Sequence, residues 1–423
     1  MTGSEMMALI EELYPILRSV TGEGVRETLA ILARFNPIEI HEVPSGSPAL
    51  DWTVPREWNV GEAWIRDPEG WSIVDLKDSN LHVVGYSVPI RKKMSLGELE
   101  THLHSIPERP DWIPWRNTLY EENWGFCLPH SQREALPEGE YEVCIDSRLE
   151  DGHLTYGELF LPGEIDQEFL ISVHVCHPSL ANDNLTGMAV STAVARRITE
   201  SGHRLGVRFL FVPGTIGSLT WLERNPDAAS RVIGGLTLTC LGDASPLTYK
   251  RTYGGENEID RVASHVLGAR LEHHEELDFY PYGYDERQYN SPGFRMPIGS
   301  MMRGRHGQFP EYHTSADNLS FVSGEQLEEA ANVVLEIFRT MDQNRLFKNL
   351  LPKGEPQLGR RGIYRAIGGH GDPESRQYAM LWLLQMGDGT TTLIDVATRS
   401  GISFDEVVGA ANILEEHHLI QWC

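Results

Sequence analysis

The chain has 423 residues, 40% of them apolar, which is enough for two or three domains and at least one large core. A formal charge of −25 excludes the basic surface that nucleic acid needs in exchange for its counterions, and no apolar run reaches the length of a membrane span. Five cysteines, at 127, 144, 176, 240 and 423, are odd in number and scattered, which speaks against a disulfide framework and for a reducing cytoplasm.

The opening "MTGSEMMALIEELYPILRSVTG" lacks the basic-then-apolar layout of a signal peptide and predicts an amphipathic helix. From residue 49 to 151 the character changes. "WTVPREWNVGEAWIRDPEGWSIVDLKDSNLHVVGYSVPI" is Trp-rich, with short alternating segments broken by Pro and Gly, and predicts a small inserted β-rich domain whose tryptophans serve packing. Residues 1–48 and 152–349 are read as one α/β core. Within it "EFLISVHV", "VRFLFVPG" and "GGLTLTCLG" predict buried strands, and "LTGMAVSTAVARRITESG" predicts the helix between the first two. This alternation implies a mostly parallel sheet covered on both faces, with ligands at the carboxyl ends of its strands. "LEHHEELDFY" has a metal-like composition but reads as a solvated helical stretch.

Residues 360–423 read as three helices, the second and third joined by "SGIS", in a helix-turn-helix or winged-helix arrangement. A DNA reader carries Arg or Lys on its recognition helix, and Phe404 to His418 has neither, so a protein contact or structural cap is expected there. Apolar faces on the inserted and terminal blocks leave a homo-oligomer open.

The chemistry gathers at the end of the first strand, in "VHVCHPSLANDNLTG" (173–187). Imidazole, thiolate and carboxylate are zinc ligands, and His174 at a strand end can point into a cleft. Asp183, just before a helix, is expected to have its carboxylate held by the first helical turn and to be able to bridge two metals. The plainer alternative makes Asn182, Asp183 or Asn184 an ordinary N-cap and leaves His174 and His177 as satisfied polar residues. A second constellation, "FPEYHTSADNLSF" (309–321), adds His313 as a ligand, with Thr314 and Asp317 fixing its loop by short-range hydrogen bonds.

Together with "FLFVPGTIGS", "LTLTCLGDASPLTYKR" and "GYDERQYNSPGFRMPIGSMMRG", these stretches resemble a bacterial aminopeptidase-like domain family over nearly the whole chain. That family is related to the co-catalytic zinc aminopeptidases and, more distantly, to the glutaminyl cyclases. The resemblance implies a zinc-exopeptidase-like sheet flanked by helices, with the inserted domain and a C-terminal winged-helix-like domain. It further implies His174 as a zinc ligand, Asp183 as the bridging carboxylate, Asp243 as a looser counterpart of a further Asp ligand, and His313 as the late His. Cys176 stands where the Asp of His-x-Asp would be, as a soft ligand or a buried inert thiol. His177 can replace or join His174.

The Glu-Glu pair that supplies base and ligand in the aminopeptidases is replaced by Gly214 and Thr215. The resemblance leads one to expect Glu-Thr here, so the missing ligand Glu is a family trait and the missing base Glu is particular to this chain. A general base is commonly worth ~10²–10⁴ in rate. Another carboxylate, with Asp285, Glu286 and Glu311 the candidates, takes over; or the chain is an inactivated relative; or the site serves other chemistry or only binding. Loss of the ligand Glu points to one well-held Zn2+ rather than an obligatory pair. Arg287 is a candidate for holding a substrate carboxylate, with an Arg–Glu brace as the structural alternative, and Tyr312 is a candidate substrate contact. Basic residues of "RMPIGSMMRGRHGQFPEY" can offset acidity around an anionic substrate. The expectation is a cytoplasmic, zinc-dependent amide hydrolase of aminopeptidase type acting on a small peptide or modified amide. The resemblance places such proteins in polysaccharide or natural-product metabolism. An impaired relative acting in binding, or a metal-assisted transferase or cyclase, is the alternative.

Overall fold

Eight strands make the main sheet of the computed structural model, which describes residues 1–363 and 373–423. In chain order they are β1 (Glu39–Pro44), β2 (His153–Leu161), β3 (Glu168–His174), β4 (Gly206–Val212), β5 (Val232–Leu238), β6 (Leu247–Lys250), β7 (His274–Leu277) and β8 (Ile298–Met302). Their order across the sheet is β1-β2-β4-β3-β5-β8-β6-β7. The centre, β4-β3-β5-β8, is parallel, whereas β1, β2 and β6 join antiparallel. Every residue of β3 and β4 is buried, the near-continuous apolar run that a strand covered on both faces requires. His174 pairs with Val212, and Ser172 with Thr237, so β3, β4 and β5 end nearly level. The loops that leave these three ends therefore share one edge of the sheet.

The helix after β3 runs Thr186–Thr199 and is buried from Thr186 through Ala195, which explains its small residues. No side chain at its N-cap position caps it; instead Asn184 Oδ1 accepts from Gly187 N at 3.1 Å. A Cβ on Gly187 would stand 2.6 Å from Leu238 O and 2.4 Å from Asn184 Oδ1, so only glycine lets the Asn184 amide sit there. The first helix, Gly3–Leu13, buries Met6, Leu9, Ile10 and Leu13 and starts in a Thr2–Glu5 capping box.

Strands Ser72–Asp75, Glu57–Arg66, Glu140–Glu150 and Ile90–Ser95 form, in that order, an antiparallel four-stranded sheet within residues 49–151. Trp58 and Trp64 are buried there, while Trp52 and Trp71 are exposed. The stretch 271–280 differs from its reading as a solvated helix. Its middle is β7, paired parallel to β6, because the free edge of β6 offers a hydrogen-bonded ladder that local helical preference cannot match.

The chain divides into two compact units, Met1–Asn257 with Glu272–Leu335, and Glu258–Leu271 with Glu336–Cys423. In the second, helices Pro373–Met386, Leu393–Ser400 and Phe404–Glu416 accompany a three-stranded sheet in which Leu346–Asn349 lies between Asp388–Thr392 and Ile420–Trp422. The turn between the last two helices uses Gly401 at φ +72°, and Ser403 caps the helix that follows. Part of the 360–423 block, residues 364–372, lies outside the described residues. Among the described residues no helix is long and apolar enough to cross a membrane.

Candidate metal centre

His174 ends β3 with its ring turned toward the loop that carries Asp183. That loop does not cap the helix with Asp183, as anticipated, and the first helical turn does not hold its carboxylate. Asp183 has non-helical angles (φ −110°, ψ 79°) and points its carboxylate between two imidazoles. His174 Nε2 lies 2.8 Å from Oδ1 and His313 Nε2 lies 2.9 Å from Oδ2. His177 Nδ1 stands 3.9 Å from Oδ1, buried and without a hydrogen-bond partner. Metal-capable atoms of His174, His177 and Asp183 all lie within 4.8 Å of one another.

The backbone around this group is tied down from several directions. Asp317, beyond the His313 loop, accepts from Asn182 N at 2.6 Å and Asp183 N at 3.0 Å, so it reaches across to the aspartate loop rather than bracing its own. Thr314 does act locally, donating to Glu311 O at 2.8 Å. His313 has φ +57°, a region rare for a residue with a Cβ. It is held there by Trp115 N, which donates to His313 O at 2.7 Å, and by the neighbouring Ile113–Ser315 pair of hydrogen bonds. The Trp115 ring meets His177 and His313 edge-on, each at 4.5 Å between centroids. Behind His177, the buried Arg18 guanidinium donates to His177 O (2.7 Å), Pro178 O (3.1 Å), Leu13 O (2.7 Å) and Thr28 Oγ1 (3.3 Å). Burial lowers its pKa to about 9.

Electrostatics follow from burial. Burial alone would raise the Asp183 carboxyl, but His177, His174 and His313 together hold it well below the usual carboxylate range. Burial is the main influence on His177 and lowers it well below the usual imidazole range. His306, also buried, is pushed down to about 4 by desolvation; its Nε2 is 3.4 Å from Thr239 Oγ1 at the end of β5.

The remaining predicted residues are distributed as follows. Asp243 does not join the group: its carboxylate accepts from Asn182 Nδ2, Gly304 N and Ser245 N at 2.8–2.9 Å and is spent on loop structure. Cys176 is a thiol, pushed up to about 12 by burial, whose Sγ lies 3.2 Å from Tyr284 Oη. Asp285 is buried on Ser218 Oγ (2.8 Å), and desolvation raises it to about 7. Glu286 is paired with the buried Lys250, so the brace in this loop is Lys–Glu and not Arg–Glu. Arg287 and Glu311 make no hydrogen bond or ion pair through their side chains to other described residues. Tyr312 stacks on His313 at 3.8 Å.

Sequence reasoning missed Tyr284. Its ring stacks on His174 at 3.7 Å and fills the space beside Gly214, where a Cβ would lie 1.8 Å from Tyr284 Cε1. Trp115, His306 and Arg18 were likewise missed. Tyr284, His306 and Arg18 lie in stretches quoted above, but nothing in those stretches gives them a role, and Trp115 lies in none of them.

The imidazoles of His174 and His177, one nitrogen of the latter buried and unpartnered, and the Asp183 carboxylate fit a zinc ion in donor type and spacing, and His313 meets the same carboxylate from its other oxygen. Sheet and helices thus define an α/β protein of aminopeptidase-like fold. The chain superposes on a zinc aminopeptidase from Bacillus subtilis with a TM-score of 0.59 at 13% identity, over 79% of this chain and 94% of that one, a likeness of fold. It belongs to the family described as domain of unknown function DUF4910, which matches residues 7–344, and residues 345–422 match a winged helix-turn-helix family. A Clostridium acetobutylicum protein, provisionally described as a polysaccharide biosynthesis protein with aminopeptidase-like domain, is 47% identical over 99% of this chain and 96% of its own length. A crystal structure from the same organism, provisionally described as a peptidase, is 45% identical and matches with a TM-score of 0.93 over 100% of this chain and 96% of that one.

Proposed function

We propose that the chain is a zinc-dependent amide hydrolase of aminopeptidase type, acting in the cytoplasm on a small peptide or modified amide, with one zinc ion per chain. The observation that carries this reading is the Asp183 carboxylate set between His174 and His313, with the unpartnered His177 nitrogen beside it. Asp183, His313 and a histidine of the β3 end would hold the ion. Bound there, zinc would polarise a carbonyl and lower the pKa of a water. Trp115 closes one side of the histidines against solvent, and Tyr312 fixes the plane of the His313 ring. Of the three candidate bases, Asp285 is sealed against Ser218 and Glu286 is paired with Lys250. Glu311, two residues before His313, keeps an uncommitted carboxylate and is assigned the proton transfer. The kinship with a protein described in polysaccharide biosynthesis supports a substrate drawn from that metabolism.

One observation favours a second reading, a relative impaired in hydrolysis that acts by binding. The Tyr284 ring closes the base position at Gly214. The two readings separate in one experiment, zinc analysis of the purified protein together with turnover of aminoacyl and acyl-amide test substrates. Stoichiometric zinc with turnover, both lost in Asp183→Asn and turnover alone lost in Glu311→Gln, supports hydrolysis. Zinc without turnover across the panel leaves the binding reading, and failure to take up zinc after reconstitution refutes the metal centre.

A further inference from the structure

Resting on the single-zinc reading above, we propose that His177, and not His174, is the strand-end ligand, and that His174 is a positioning residue that donates a hydrogen bond to Asp183.

The argument starts at Asn184. Its carboxamide has two fixed neighbours: Oδ1 accepts from Gly187 N at 3.1 Å, and Nδ2 donates to Leu238 O at 2.9 Å. Turning the amide over would set oxygen against the Leu238 carbonyl and NH2 against the Gly187 N–H, two like-on-like contacts in a buried place. The orientation is therefore settled by the network. In that orientation Nδ2 is the atom facing His174 Nδ1, at 3.3 Å. An N–H directed at Nδ1 requires a lone pair on Nδ1. The ring proton then resides on Nε2, where it is donated to Asp183 Oδ1 at 2.8 Å. To free Nε2 for a cation the ring proton would have to move to Nδ1, where it would face the Asn184 NH2 group. Tyr284, stacked on one face of the ring, opposes its reorientation.

His177 is placed in the opposite way. Its Nδ1 is buried, has no hydrogen-bond partner, and lies 3.9 Å from Asp183 Oδ1. Two donors bound to one tetrahedral zinc at ~2.0–2.1 Å are separated by roughly 3.3 Å, so a shift of about half an ångström brings the pair to that spacing. Arg18 grips the His177 carbonyl, and the Trp115 edge rests on the ring, so the residue is anchored at both ends. His177, Asp183 and His313 make three ligands and leave the open fourth position of a catalytic zinc site. His174 becomes the outer-shell partner that orients the ligating carboxylate.

The test measures zinc affinity by competition with a chromogenic chelator in wild type, His177→Ala and His174→Gln, the glutamine keeping an N–H where His174 Nε2 stands. Loss of an outer-shell partner weakens metal binding by ~10–100-fold. His174→Gln is expected within that range, and His177→Ala well beyond it. Selective 15N-histidine NMR reads the same point without mutation of either residue. The His174 resonances should report a proton on Nε2 both before and after zinc is added, while His177 Nδ1 shifts on loading. Equal losses in the two variants, a larger loss in His174→Gln, or transfer of the His174 proton to Nδ1 on zinc loading would overturn the assignment. Zinc held in the expected way with no turnover would overturn only the hydrolase reading.

Discussion

Gly214→Ala tests how firmly the Tyr284 ring is held against Gly214. A Cβ at residue 214 would lie 1.8 Å from Tyr284 Cε1, 2.5 Å from Cζ and 2.6 Å from Oη. The ring would have to retreat by roughly 2 Å to regain an ordinary carbon contact of ~3.5–4.0 Å. Retreat is opposed by the His174 ring stacked at 3.7 Å and by the contact of Oη with Cys176 Sγ at 3.2 Å. Overpacking of this kind costs about 1–3 kcal/mol, and loss of an aromatic stack adds ~0.5–1.5 kcal/mol. The substitution should therefore destabilise the first unit by about 2–4 kcal/mol, read as a shift of its urea transition at constant slope. In a Tyr284→Ala background the same methyl meets open space, so most of that penalty should vanish in a double-mutant cycle. A single variant within ~0.5 kcal/mol of wild type, or an equal penalty in both backgrounds, would refute the reasoning. For the same reason Gly214→Glu alone finds no room for its side chain; only with Tyr284 trimmed can a carboxylate enter.

Further outcomes follow from the groups around the site. The Asp285 pKa of about 7 exceeds the ordinary 3.8, so its contribution to stability is complete below about pH 4 and is lost as pH rises through about 7. Asp285→Asn should flatten the fall in stability over that window by up to ~1.4 kcal/mol per pH unit, and parallel pH profiles for the two proteins would disprove it. Arg18→Met strips the donors from the carbonyls of Leu13, His177 and Pro178, each buried acceptor costing ~1–3 kcal/mol; a lowered melting temperature and weaker zinc retention are expected, with partial recovery in Arg18→Lys. Trp115→Ala should speed loss of zinc to excess chelator severalfold while leaving stoichiometry intact, and an unchanged rate would show that the indole does not seal the histidines.

His174, Asp183 and His313 are legible as a group because their chemistry is stated by residue type, and the strand that ends in His174 is a nearly unbroken apolar run. What the sequence hid depends on contacts between distant segments. Asp243 follows Gly242 at a strand exit, as a ligand would, yet three donors from separate loops claim its carboxylate. Tyr284, 70 positions further along the chain, stands beside Gly214, and no local pattern announces that a ring will fill the space there. Residues 274–277 became a strand because β6 lay open beside them.

The bridge between Pro114 and Thr314, flanked by the Ile113–Ser315 and Trp115–His313 hydrogen bonds, stitches residues 113–115 to the loop that presents His313. An excision that trimmed the chain to its α/β elements would cut that seam and release His313 from its unusual backbone angle. The inserted segment is therefore no removable accessory. It forms part of the frame that fixes His313, and shortening it would unsettle the cluster that His313 completes.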